Sequence, residues 1–153
     1  MLQRPRPEAP GIAAGIDEKL IGTLVDRFYA AVRRDEILGP VFESRIADWD
    51  EHLAKLRDFW SSVVLMTGRY KGRPMPVHAA IAEITDTHFE RWLALFAETA
   101  RAVCPPAAAA LFIDRSRRIA ESLKMGIALS RGDDSVLGGG PVSLGNSQAE
   151  RAE

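Results

Sequence analysis

The residues best suited to chemistry in this 153-residue chain are a histidine and two aromatic residues with polar tips. His52 lies on the apolar stripe of a predicted helix, one turn after Trp49 and one turn before Leu56. Tyr29 and Trp92 lie on the inward faces of two other predicted helices. Taken singly, such residues are most often core residues whose polar tips find a partner, so none of them alone indicates a site.

A second histidine strengthens the case for a site. His78 ends the segment 74–78, Pro-Met-Pro-Val-His, and is separated from His52 by a predicted loop. Two histidines on different elements of a core rich in Phe and Trp could face a flat apolar ligand from opposite sides. Haem is such a ligand, because its iron binds a neutral imidazole nitrogen and its macrocycle needs an apolar slot between helices. The spacing of the two histidines specifies no metal motif by itself.

Two further candidates are predicted to be structural. His88 sits in the polar first turn of a predicted helix, where a surface histidine is the commoner outcome. Cys104 precedes Pro105-Pro106 at a helix end and is predicted to be buried or at the boundary of the core. As the single cysteine of the chain, it excludes an internal disulfide framework.

Four segments with helical periodicity would position these residues. Apolar residues recur at the spacing of one helix face over residues 17–34, 49–66, 86–103 and 106–130. No stretch of the chain alternates convincingly with period two. The sequence therefore predicts an all-α protein.

The connections and the chain ends are predicted to be irregular. Phe42 is expected on a short connecting turn after Gly39-Pro40, and a loop over 67–76 leads to a short helical piece over 77–84. Residues 1–15 contain three prolines, and residues 131–153 are rich in Gly, Ser and Asp. Both end segments are predicted to be flexible, because they bury too little surface to offset the entropy of ordering. The folded domain is then expected over 16–130.

Composition narrows the function classes. With 20 Lys+Arg against 21 Asp+Glu, the formal net charge of −1 argues against a nucleic-acid protein that neutralises many phosphates. The longest apolar stretches are far shorter than a membrane span, and no signal-peptide hydrophobic core follows the first residues. We therefore expect a cytoplasmic protein that binds neither nucleic acid nor membranes.

In their order and spacing, several segments resemble the bacterial group III truncated haemoglobins. The similarity runs from about Leu20 to Met125, most of the predicted domain. The segments that carry it are FYAAVR at 28–33, LGPVF at 38–42, WDEH at 49–52, FW at 59–60, YKGRP at 70–74 and FERWLALF at 89–96. The glycine pairs that help define other truncated globin groups are missing, which agrees with group III.

The resemblance implies a globin-like, two-over-two helical sandwich around haem b. His78 would be the proximal iron ligand, His52 the distal histidine, and Tyr29 and Trp92 would line the distal side. The remaining cofactor-binding residues implied by the resemblance are Phe42 against the macrocycle, Leu56, Phe59 and Trp60 in the distal helix wall, and Arg73, with Arg69 and Lys71, near the propionates.

Three functions are compatible with this interpretation. The first is the binding of dioxygen or nitric oxide at a histidine-ligated haem iron. The second is a haem enzyme for nitric-oxide dioxygenation or peroxidase-like chemistry, which would need an external reductase because the chain has no flavin or nicotinamide domain. The third is a haem-free helical module in which His52 and His78 are ordinary buried residues.

Overall fold

A computed structural model describes residues 4–71 and 84–130 of the protein. Within these ranges all regular structure is helical, which confirms the all-α prediction. The helices are α1 Pro10–Ala13, α2 Glu18–Arg34, α3 Leu38–Arg45, α4 Trp49–Leu65, α5 Asp86–Val103 and α6 Pro106–Ser130. The helical piece predicted over 77–84 falls almost wholly outside the described residues, and so does the segment 131–153.

The four long helices begin and end within one residue of their predicted bounds, and local signals explain why. Asp17 caps α2 by accepting a hydrogen bond from the Leu20 N–H at 2.9 Å, and Asp48 caps α4 by accepting one from the Glu51 N–H at 3.1 Å. At its other end α4 stops at Met66, whose backbone is left-handed with φ 57°. Capping and periodicity are local, so the sequence alone predicts these bounds.

Phe42 lies on a helix, so the prediction of a connecting turn is wrong at this point. Gly39 and Pro40 fall in the first turn of α3, where a proline removes no intrahelical hydrogen bond. The N–H groups of Ile37 and Leu38 donate to the Asp35 carboxylate at 3.0 and 2.9 Å, which satisfies two donors at the start of the helix.

Part of the amino-terminal segment predicted to be flexible is packed against the domain. The Arg6 N–H donates to the Leu65 carbonyl at 3.0 Å, and Ala9 is only 2% exposed. Gly11 of α1 lies so close to α4 that a Cβ on it would be 2.5 Å from the Val64 carbonyl oxygen. Proline and glycine here allow a close approach of backbones that composition alone does not reveal.

The long helices form two packed pairs, α2 with α4 and α5 with α6, and the pairs meet through α2 and α5. Their shared core is aromatic. Phe96 of α5 stacks on Trp60 of α4 at a centroid distance of 5.3 Å and on Trp92 of its own helix at 5.5 Å. Phe28 of α2 and Phe112 of α6 meet these rings edge-on and are 1% and 0% exposed. None of the described helices is both long and apolar enough to cross a membrane.

Candidate functional site

A small cavity of about 30 Å³ opens between α3, α5 and α6. Its described lining is apolar apart from one histidine: Leu38, Val41, Phe42, Ile84, His88, Phe89, Trp92, Ala120 and Leu123. Phe42 and Trp92, both predicted from the sequence as site residues, are walls of this cavity. An apolar lining with few polar groups is typical of a site for a small molecule or cofactor.

Tyr29 is joined to the cavity wall by a hydrogen bond. The Trp92 indole N–H donates to the Tyr29 hydroxyl, and the Tyr29 ring lies 6.1 Å from the Phe42 ring between centroids. Burial raises the pKa of Tyr29 far above its ordinary value, and the bond from Trp92 offsets this rise only in part. Tyr29 is therefore a neutral phenol, and because its oxygen accepts from Trp92, its own hydrogen is directed elsewhere.

His52 completes a cluster of polar-tipped rings. Its imidazole meets Tyr29 edge-on at 5.7 Å and Trp49 edge-on at 5.6 Å between centroids. The Trp49 Nε1 atom is buried and has no hydrogen-bond partner in the described part of the protein. The structure thus brings together four residues from four helices, Tyr29, Phe42, His52 and Trp92. Trp49 joins this group although the sequence indicated it only as a stripe residue.

A surface contact covers Trp49. The Arg33 guanidinium carbon lies 4.5 Å from the centroid of the Trp49 ring, and Arg33 Nε donates to Glu43 Oε2 at 2.7 Å. Both charged side chains are nearly half exposed. The rim of the site is therefore wet and charged, whereas its interior is apolar.

Three residues predicted for the distal wall lie away from the described lining of the cavity. Trp60 is 3% exposed and packs in the aromatic core between Phe96 and Phe112. Phe59 contacts the rings of Trp60 and Tyr70, and Leu56 is a partly buried residue packed against the core. All three residues lie on α4, the helix that carries His52, and pack that helix against the core.

The predicted iron ligand His78 and the predicted propionate residue Arg73 lie outside the described residues. Arg69, one of two basic residues just before that segment together with Lys71, is engaged with α2. Its guanidinium is 3.2 Å from Glu18 Oε2, and this carboxylate also accepts from the Ser61 hydroxyl at 2.7 Å. These contacts fasten the end of α4 and the following loop to the start of α2.

His88 and Cys104 lie at the two ends of α5, and His88 also borders the cavity, which the sequence did not predict. His88 Nδ1 accepts from the Thr85 N–H at 3.1 Å at the start of α5, and the half-buried ring also borders the cavity. Cys104 is buried, and burial raises the pKa of its thiol to about 11. A thiol that resists ionisation is a poor candidate for a metal ligand.

Sequence reasoning missed one polar pair beside the site. The side chain of Asp35 is only 3% exposed, and Arg91, the residue before Trp92, donates to it from Nε at 2.7 Å. The hydrogen bond from Arg91 holds the pKa of Asp35 below its ordinary value. The two residues are 56 positions apart, so no local pattern could have indicated the pair.

Comparisons with known proteins agree with the geometry. The model of the family described as bacterial-like globin matches residues 13–122. The group 3 truncated hemoglobin ctb of Campylobacter jejuni is 34% identical over 109 residues, which cover 69% of this chain and 86% of that protein. The crystal structure of the group III truncated hemoglobin from Campylobacter jejuni matches with a TM-score of 0.69 at 33% identity, over 73% of this chain and 91% of that one.

Proposed function

The chain belongs to the bacterial-like globin family as a group III truncated haemoglobin, and we propose that it holds haem b in the cavity walled by Phe42 and Trp92 and binds dioxygen or nitric oxide there. The observation that carries the proposal is the hydrogen bond from Trp92 to Tyr29 beside an apolar cavity. Globins use haem. What we propose for this chain is the type of haem, the residues that hold it and the gas that it binds.

The residues of the cavity fit a haem group. The match is one of chemistry, since the enclosed space of about 30 Å³ is well below the roughly 300–1,000 Å³ usual for ligand pockets and the walls would have to move apart to admit a macrocycle. The lining aliphatic and aromatic side chains from α3, α5 and α6 provide the apolar slot that a macrocycle requires.

We assign iron ligation to His78, as the resemblance implies. Ile84, which follows His78 by six positions, is buried and lines the cavity, and this supports the assignment. Arg73 is assigned to the propionates on the same basis. Arg69 is a weaker choice for that role, because its guanidinium already pairs with Glu18.

The distal residues would act as hydrogen-bond donors. Haem iron, when bound, takes a diatomic gas as ligand and shifts electron density onto it. Tyr29 stays protonated because of its burial, and because its oxygen accepts from Trp92, its O–H would be the group that donates to a bound gas. A hydrogen bond to a charged group contributes about 1.5–3 kcal/mol, so this donor would slow gas release by about 10- to 100-fold.

The visible spectrum of the purified and haem-loaded protein tests this proposal. We expect a Soret band in the wild type and in His88→Gln, and loss of histidine ligation to the iron in His78→Ala. If the wild type showed no Soret band after haem loading, the protein would be interpreted as a haem-free helical module. Retained five-coordinate histidine ligation in His78→Ala would show that another histidine holds the iron.

A second candidate function is nitric-oxide dioxygenation or peroxidase-like turnover with an external reductase. The observation that favours it is the polarity around Tyr29, where a tyrosine, an imidazole and two indole groups meet. Several donors suit activation of a bound ligand better than reversible transport. Rapid enzymatic re-reduction of the ferric protein at cellular reductant levels would support the enzyme, whereas its absence would leave gas binding.

A further inference from the structure

Asp35 lies where three helices of the site meet. It is the first residue after α2, and its backbone N–H donates to the Val32 carbonyl at 3.1 Å. Its buried carboxylate accepts from two N–H groups at the start of α3 and from Arg91 on α5. One carboxylate therefore links the end of α2 to the beginning of α3 and to the side of α5.

Each of these three helices carries a residue of the candidate site. Tyr29 is on α2, Phe42 on α3 and Trp92 on α5. Arg91 precedes Trp92 directly, and neighbouring residues on a helix point about 100° apart. Arg91 is held by Asp35, and this contact adds to the core packing of Phe89 and Phe96 in restricting the rotation of α5, and with it the position of Trp92.

The Asp35–Arg91 pair differs from an ordinary surface ion pair. The Asp35 side chain is 3% exposed and the Arg91 side chain 46%, so the carboxylate is shielded while the guanidinium lies over it from the solvent side. Two nitrogens of the Arg91 fork contact the same oxygen, Asp35 Oδ1, which restricts the orientation of the side chain. Such a pair is directional as well as attractive.

We propose that Asp35 and Arg91 are positioning residues that set the hydrogen bond from the Trp92 indole to the Tyr29 hydroxyl, and through it the hold of the site on its gas ligand. The last part rests on the proposed function. Neither residue is among the described residues that line the cavity, so both act through Trp92 and not by contact with the ligand.

A double-mutant cycle tests the coupling. Arg91→Met keeps much of the side-chain length and removes the charge, and we expect it to speed dioxygen release by about 3- to 10-fold through loss of a well-aligned donor. In a Trp92→Phe background the same substitution should change the rate by less than about twofold, because the bond it acts through is already absent. An undiminished effect in that background, or no effect in the wild type, would overturn the proposal.

A second measurement does not depend on haem. The three tryptophan indole N–H signals of ¹⁵N-labelled full-length protein are recorded as purified and again after haem loading, with Trp92 assigned by its loss in Trp92→Phe. Arg91→Met should displace the Trp92 signal and leave the Trp60 signal in place. An unmoved Trp92 signal would refute the positioning role, and a displaced one would support it even if the wild type took up no haem and the proposed function failed.

Two further variants serve as controls. Asp26→Asn removes the exposed pair that joins α2 to α4 through Arg57, at 3.1 Å, on a face away from the described cavity lining. Asp26→Asn should change neither the rate of dioxygen release nor the Trp92 signal. A change equal to that of Arg91→Met would show that losing any ion pair between helices has this effect. Where Arg91→Met does not fold, Arg91→Lys keeps the charge without the fork, and it should show the same displacement of Trp92 to a smaller extent.

Discussion

The protein contains two aromatic clusters that use similar residues for different ends. The first, which we call the core cluster, comprises Trp60, Phe96 and Phe112, with ring centroids 5.3–6.5 Å apart. The second, the pocket cluster, comprises Tyr29, Trp49, His52 and Trp92. The rings of the core cluster are at most 3% exposed, whereas Trp92 of the pocket cluster borders the cavity between α3, α5 and α6.

The clusters share a wall, and this makes the comparison instructive. Phe96 stacks on Trp60 on one side and on Trp92 on the other, with interplanar angles of 12° and 7°. Ring type and ring spacing are nearly equal across this wall. The pocket cluster differs in having neighbours that leave space and polar tips that bond to one another, as Trp92 does to Tyr29. The two clusters therefore differ in the space beside their rings as much as in their residues.

The largest expected effect is a difference in the free energy of unfolding between a variant in the core cluster and one at the cavity wall. Phe112→Ala should lower the free energy of unfolding by about 3–5 kcal/mol, because Phe112 is fully buried and its removal leaves a void. Phe42→Ala should cost clearly less, since Phe42 already borders a cavity and lacks contacts on one side. Urea unfolding of both variants at equal haem content measures the difference, and equal losses would mean that the cavity wall is packed like the core.

The next effect separates the clusters by chemistry. Tyr29→Phe should speed dioxygen release by about 10- to 100-fold, because a donor worth about 1.5–3 kcal/mol is lost. The matched control is Tyr70→Phe, which alters the other tyrosine of the chain, packed on Phe59 outside the described cavity lining. Stopped-flow displacement by carbon monoxide measures both rates. An unchanged rate in Tyr29→Phe would remove Tyr29 from ligand binding.

A smaller effect depends on pH. The hydrogen bond from Arg91 lowers the folded-state pKa of Asp35, so the ionised carboxylate stabilises the fold above its unfolded-state pKa, and this stabilisation is lost as pH falls through the folded-state value. Asp35→Asn should therefore cost about 1–3 kcal/mol near neutral pH, and its difference from the wild type should shrink in acid. Thermal or urea unfolding from pH 7 to pH 3 measures this, and a pH-independent difference would contradict it.

The smallest effect lies at the rim of the pocket cluster. Arg33→Gln removes a half-exposed ion pair with Glu43 and a cation–π contact with Trp49, and it should cost no more than about 1 kcal/mol. Salt screens such a pair, so the difference from the wild type should narrow further at high ionic strength. Arg34→Gln, on the neighbouring position of α2, is the control in the same denaturation experiment. A loss as large as that of Phe112→Ala would show that the rim is part of the packed structure.

Local signals account for what could be predicted about the fold. The long helices follow from apolar periodicity and from capping residues such as Asp17 and Asp48, each of which acts within one turn. The same reasoning failed at Phe42, because Gly39-Pro40 is compatible with both a turn and a first helical turn. The deciding contact is the carboxylate of Asp35, which satisfies the N–H groups at the start of α3. Reasoning from local signals also failed for part of residues 4–15. Their composition predicts flexibility, but Arg6 and Gly11 pack against α4.

Sequence by itself determined the fold class, the long helices and the residue types at the centre of the site, since helical period and capping are encoded within a few residues. Only the tertiary structure decided which aromatic residues face a cavity and which are sealed in the core. Trp60 and Trp92 occupy equivalent stripes in sequence, yet one is enclosed by rings and the other borders open volume. The Asp35–Arg91 tie likewise exists only after α2 and α5 meet. Burial and long-range pairing depend on how helices pack, and no local pattern records that packing.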